Sequence, residues 1–301
     1  MCIRDRTRGW QTDQTALFVG TERVIKPSFQ FGGAGVDPRH QFKGIIDDLR
    51  IWNGAKSENQ ILNNLYKEQS SDIDDDLRVY FDFNEGIPFG NNTQVSPLID
   101  IGGSFNSTFS GFTNTGAVSN YVIGAPINMY DSNDDGVSDF CDNLAQNKDD
   151  DSDGIRNSID ICSDAPVVGL AFDGIDDRVE VVNNSALVPT TSQAVTFETW
   201  VFPRSAQQSI IASQYFNFDA SRSNFFIRRE TNGTLLITGD GTNIIESHTS
   251  IPLNTWSHIA VVFEHSIGEN KTKIYINGKL DVAGDLNYLS LIHISEPTRP
   301  Y

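Results

Sequence analysis

"DSNDDGVSDFCDNLAQNKDDDSDGIRNSIDICSDA", residues 131–165, sets eleven aspartates against only Lys148 and Arg156, a local charge of −9. Oxygen-bearing side chains recur at alternate places: Asp131, Asn133 and Asp135, then Gly136, then Asp139 and Asp142. Eighteen residues on, Asp149, Asp151, Asp153, Gly154, Asn157 and Asp160 repeat the arrangement. Ca²⁺ takes about six to eight hard oxygens, so a loop that holds it aims alternate side chains inward, turns sharply at a glycine and closes with a carboxylate. Val137 and Ile155 fall where such a loop offers a backbone carbonyl. Both copies close with Asp (Asp142 and Asp160) where the longer Glu is usual. The bland alternative is a solvated acidic linker. A random linker has no reason to repeat its glycine and its oxygen ligands in the same register, so the spacing predicts two calcium loops. Extracellular modules of this kind bind at about 10⁻⁴–10⁻³ M.

Other residues invite weaker readings. Asp173, Asp176 and Asp177 form a second acidic group before a strand, either a structural turn or part of a further calcium site. Asp47 and Asp48 lie in a strand pattern and read as structural. His258 follows Trp256 in an alternating strand and reads as a packed histidine. Trp200 and Trp256 read as core more than as sugar platforms. The paired-carboxylate strand E-x-D-x-x-E of some sugar-cleaving enzymes is missing from the sequence. So are a Gly-x-Ser-x-Gly elbow, His-Glu-x-x-His and a phosphate-cradling glycine loop. The expectation is a non-enzyme. Sequons at Asn91, Asn106, Asn183, Asn232 and Asn270 matter only in a glycosylating host.

Forty acidic against 22 basic residues give a net charge of −18, with about half of it in the 131–165 stretch. No basic face for nucleic acid is expected, and no apolar run approaches the ~18 residues of a membrane span. Of the three cysteines, Cys141 and Cys162 flank the acidic segment. That placement suits one disulfide in an oxidising compartment, with two reduced thiols as the alternative. The third, Cys2, lies in "MCIRDR", which can be encoded by ATG TGT ATA AGA GAC AG. The reverse complement of that string encodes the "LSLIHI" of residues 289–294. One DNA segment read on opposite strands is the mark of a sequencing adapter. Residues 1–6 and 289–301 are therefore expected to be adapter translation and the chain between them a fragment.

The elements that must position these groups are almost all strands. One helix is predicted at "SENQILNNLYKEQ", where Ser57 and Gln60 have capping-box spacing and Ile61, Leu62 and Leu65 make a short apolar stripe. "AVTFETWVFP" alternates Val195, Phe197, Thr199 and Val201 against Thr196, Glu198, Trp200 and Phe202, a strand apolar on both faces. Asn232-Gly233 and Asn277-Gly278 predict two hairpins with type I′ turns. The fold class expected is mainly β: incomplete jelly-roll β-sandwiches with a calcium-loop linker of little regular secondary structure.

Residues 168–288 resemble laminin-G-like, concanavalin-A-type jelly-roll domains. The resemblance is carried by Phe172-Asp173-Gly174, Asp176-Asp177 and Val179-Glu180-Val181. It continues through Phe197, Glu198, Trp200 and Val201, then Trp256-x-His258-Ile259-Ala260 and Tyr275-x-Asn277-Gly278. The family's closing "G-x-I-D-x-[LV]-R-[IV]-[WY]" strand instead lies upstream, as Gly44, Ile46, Asp47, Leu49, Arg50, Ile51 and Trp52. Residues 7–70 thus resemble the C-terminal part of one such sandwich and 168–288 the N-terminal part of a second, with 77–125 a further β-rich segment. Separate incomplete sheets are expected, rather than one permuted sandwich. Residues 131–164 resemble two thrombospondin type 3 repeats, which implies disulfides between the calcium loops, a role Cys141 and Cys162 fit. Leu144 stands where a Cys-Pro pair often follows in that family. These resemblances imply a secreted or cell-surface calcium-binding protein that recognises a glycan or protein ligand. The alternatives are an accessory region of a polysaccharide-degrading enzyme or an inert, calcium-stiffened stalk.

Overall fold

The computed structural model describes residues 28–33, 40–67, 76–95, 98–102, 105, 107–127, 168–181, 194–215, 225–238, 243–266 and 269–286. Its elements open with β1 (Ser28–Phe31), β2 (Lys43–Asn53), α1 (Glu58–Asn64), β3 (Leu77–Phe81), β4 (Ser107–Ser110) and β5 (Asn120–Ile123). Then come β6 (Val168–Asp173), β7 (Arg178–Val181), β8 (Val195–Pro203), β9 (Ser209–Tyr215) and β10 (Phe225–Arg229). The last are β11 (Leu235–Thr238), β12 (Ile244–Glu246), β13 (Ser257–Ser266), β14 (Glu269–Ile276) and β15 (Lys279–Asp285). They form two antiparallel sheets, β12-β11-β10-β9-β1-β7-β4 and β15-β14-β13-β8-β2-β6-β5, with β3 also paired to β2. The expected class, a mainly β sandwich, is the one observed.

The alternation in β8 sorts as the sequence implies. Val195, Phe197 and Val201 enter the core between the sheets, where Phe29, Phe31, Phe172, Phe225 and Phe263 also meet. Each such fully buried side chain contributes about 1.5–3 kcal/mol relative to exposure. Trp200 and Phe202 point to the outer face of the second sheet.

Separate sheets are not what forms. Strand β2 lies between β8 on one side and both β6 and β3 on the other. Its first half pairs with β6 (Gly44 with Phe172, Ile45 with Ala171) and its second half with β3 (Leu49 with Phe81, Ile51 with Val79). Two half-sheets ending in apolar strands would each expose unpaired backbone donors and acceptors, and joining them satisfies both edges. The change of partner happens at a bulge, where the register against β8 slips between Asp47 and Arg50 and Asp48 takes φ +49°. Aspartate tolerates that region better than most residues.

Helix α1 has both halves of the expected capping box: the Ser57 N–H donates to Gln60 Oε1 (2.9 Å) and the Gln60 N–H to Ser57 Oγ (3.4 Å). Ile61 is buried on Ala260, Val262 and Tyr275 of the outer face, and Leu65 on Trp200. Leu62 departs from the expected stripe, being exposed beside the turn at Gly278. The two Asn-Gly turns also differ. Asn277 and Gly278 both have positive φ (50° and 75°), as type I′ requires. At 232–233 only Gly233 does (91°), and its N–H donates to the Glu230 carbonyl. That is the pattern of a type I turn followed by a left-handed glycine. Asn232 keeps ordinary φ because its Oδ1 accepts the Thr234 N–H and hydroxyl (3.1 and 2.7 Å).

Candidate functional site

The predicted calcium ligands Asp131, Asn133, Asp135, Val137, Asp139, Asp142, Asp149, Asp151, Asp153, Ile155, Asn157 and Asp160 lie outside the described residues, as do Cys141 and Cys162. Their anchors are described. Ile123 of β5 pairs with Val168 of β6, and Ile127 is buried with Leu65, Ala125 and Trp200. The acidic stretch therefore leaves and re-enters one sheet between adjacent strands. A joint between two separate sandwiches, the sequence-based expectation, would place its two ends on different bodies.

The second acidic group is assembled at the β6–β7 turn. Ligand oxygens of Asp173, Asp176 and Asp177 all lie within 4.8 Å of one another. Gly174, at φ +80°, permits the reversal. Asp173 Oδ1 accepts the Ile175 N–H (2.7 Å), and Asp177 Oδ2 accepts the Asp173 N–H (2.8 Å). Ser119 Oγ donates to Asp177 Oδ1 (2.8 Å). Asp177 thus spends both oxygens inside the protein. Burial pushes its carboxyl up to about 7, against the lowering effect of those hydrogen bonds. Asp173 Oδ2 and the exposed Asp176 carboxylate remain the oxygens open to a hard cation, so the hydrogen bonds favour the turn reading.

A third cluster, unanticipated as a unit, sits on the outer face beneath α1. Arg50 Nη2 donates to Asp48 Oδ1 (2.8 Å), and Arg50 Nη1 lies 3.8 Å from Glu198 Oε1. The same guanidinium donates to the carbonyls of Asn64 (2.9 Å) and Lys67, while the Trp200 indole N–H donates to that of Leu65 (3.1 Å). Carbonyls at a helix C-terminus lack intrahelical donors, and here the sheet supplies them. Trp52 Nε1 donates to Glu198 Oε1 (2.6 Å). Burial raises the Glu198 carboxyl and, against the pull of Arg50, takes that of Asp48 to about 6. Asp47 is likewise raised by burial; its Oδ2 accepts the Ala125 N–H (2.7 Å). His258 is the packed strand histidine expected. Its ring stands edge-on to Trp200 at 5.4 Å, with burial first and then the Arg50 charge lowering it to about 3. A signal for the cluster was present: Glu198 shares a strand face with Thr196, Trp200 and Phe202, and a carboxylate buried there needs a cation.

Trp200 is 2 % exposed and structural, whereas Trp256 is only partly buried. A family model, Laminin_G_3, described as the concanavalin A-like lectin/glucanases superfamily, matches residues 173–292. The match covers most of the 168–288 stretch on which the resemblance rested. No curated protein and no solved structure matches the chain.

Proposed function

We propose that this chain is a non-catalytic recognition segment of a secreted or cell-surface protein, a β-sandwich that binds a glycan or protein ligand and carries two calcium loops between β5 and β6. The observation that carries the reading is a two-sheet antiparallel sandwich whose residues 173–292 match the concanavalin A-like lectin/glucanases model. The calcium part is supported by the 18-residue repeat of oxygen side chains and glycine. Ile123 and Val168 pair on adjacent strands, so the stretch connects neighbours of one sheet, and ion binding would offset its charge of −9. Cys141 and Cys162 are proposed to close it as a disulfide. Calorimetric titration of the full chain with CaCl₂ should show binding near millimolar calcium that falls at least tenfold in affinity in the Asp135→Ala/Asp153→Ala double variant. Absence of binding heat at millimolar calcium rules the calcium loops out. A glycan and matrix-protein array probed with the calcium-loaded chain tests the recognition part, and silence on both would leave the stalk alternative.

A further inference from the structure

The outer face of the second sheet carries a row of aromatic surface at the end where β8 finishes and β2 begins. The Trp256 ring, just before β13, lies 5.4 Å from that of Phe202. Phe202 is opposite Ile45, which is opposite Ala171, and both rings pack against that cluster. Both rings remain partly exposed. One residue further along, the Arg204 N–H donates to the Lys43 carbonyl (2.9 Å), setting two exposed cationic residues side by side. The Arg204 guanidinium lies 5.7 Å from the centre of the Phe202 ring.

The member able to meet an anion is Arg204. In a chain with 40 acidic and 22 basic residues, Arg50, Lys56, Arg228 and Lys273 all have carboxylate partners. Arg204 and Lys43, like Arg78, Arg178, Arg229 and Lys279, have no ion pair among the described residues, and what sets Arg204 apart is its place beside the Phe202 ring. Lys43 faces Asp173 across the strands, where Asp173 Oδ1 is engaged in its own turn and Oδ2 is open. Arg204 therefore presents a fork of donors beside an aromatic step, on a molecule whose overall field repels anions. A pyranose ring lays its C–H face on an aromatic side chain while its substituents reach polar groups at the rim. A guanidinium pairs best with a planar or tetrahedral oxyanion.

We propose that Trp256, Phe202 and Arg204, with Lys43 beside them, form a subsite for a saccharide bearing carboxylate or sulfate groups. The inference rests on the recognition reading above and narrows its ligand class. It is tested with the full chain and three oligosaccharides of equal length: an oligogalacturonate, a sulfated galactan oligomer and a neutral galactan oligomer. Binding is followed by calorimetry and by tryptophan emission. At least one anionic oligomer should bind and shift the emission, and the neutral one should bind about tenfold more weakly. Arg204→Gln should lose about the same factor with its unfolding midpoint unchanged, since the side chain is exposed. Trp256→Phe should keep binding but lose the spectral change. Lys279→Gln, an exposed cation on β15, should bind like the parent. Equal binding of the neutral oligomer, or equal loss in Lys279→Gln and Arg204→Gln, overturns the subsite while leaving glycan recognition standing. Silence of all three oligomers overturns the subsite, and glycan recognition falls with it only if the array also shows no sugar.

Discussion

The buried carboxylates set the chain's response to pH. Asp48 and Asp177 are raised in the folded state to about 6 and about 7 by burial. The folded chain therefore holds protons that the unfolded chain releases near the ordinary aspartate value of about 3.9. Stability from these groups is complete below that value and is lost as pH rises through about 6 and then about 7. In calcium-free buffer the unfolding midpoint should fall between pH 5 and 8. General charge repulsion has the same sign, so the discriminating measurement is Asp177→Asn, which mimics the protonated acid and should flatten the upper part of that slope. An unchanged slope would show that Asp177 does not titrate in this interval.

At the level of elements, α1 is short for an autonomous helix and depends on its ends and its docked face. Its N-terminus is closed by Ser57 and Gln60, its C-terminal carbonyls by Arg50 and Trp200 from the sheet beneath. Ser57→Ala should cost about 1 kcal/mol in urea unfolding, and Gln60→Ala less, because Ser57 can still accept. A Ser57→Ala variant as stable as the parent would mean that docking alone holds the helix. The capping box was readable because it is local, four residues with fixed geometry. The C-terminal donors were not, since Arg50 and Trp200 reach α1 only when β2 and β8 pair.

For the whole molecule, the consequential fact is that residues 43–53 occupy the middle of the second sheet. A central strand exchanges its amide hydrogens only when the sheet opens. Amides of 44–51 should therefore exchange as slowly as those of 196–202 in a monomeric sample, and urea should unfold the chain in one transition. Fast exchange at 44–46 with protection retained at 196–202 would mean that β2 is not a member of this sheet. The same pairing brings Arg204 next to Lys43 and places Phe202 beside Ile45, so the proposed saccharide subsite exists only if β2 is in place.

Strand periodicity, the capping box and the turn at Asn277-Gly278 were legible in the residues, because each depends on neighbours within one turn or one strand. Tertiary structure alone decided which strands share a sheet. The pattern of Gly44 to Trp52 resembles a closing strand, and it does not say that the strand is buried on both faces or against what. The same holds for the charges: Glu198 looked like one side of an alternating strand until Arg50, distant in sequence, arrived to neutralise it. It holds also for Trp256, read as core by type and found partly buried, packed against the cluster of Trp200 and Ile127 and against that of Ile45 and Val122. Burial and pairing belong to contacts between distant segments, and the fold supplies those contacts.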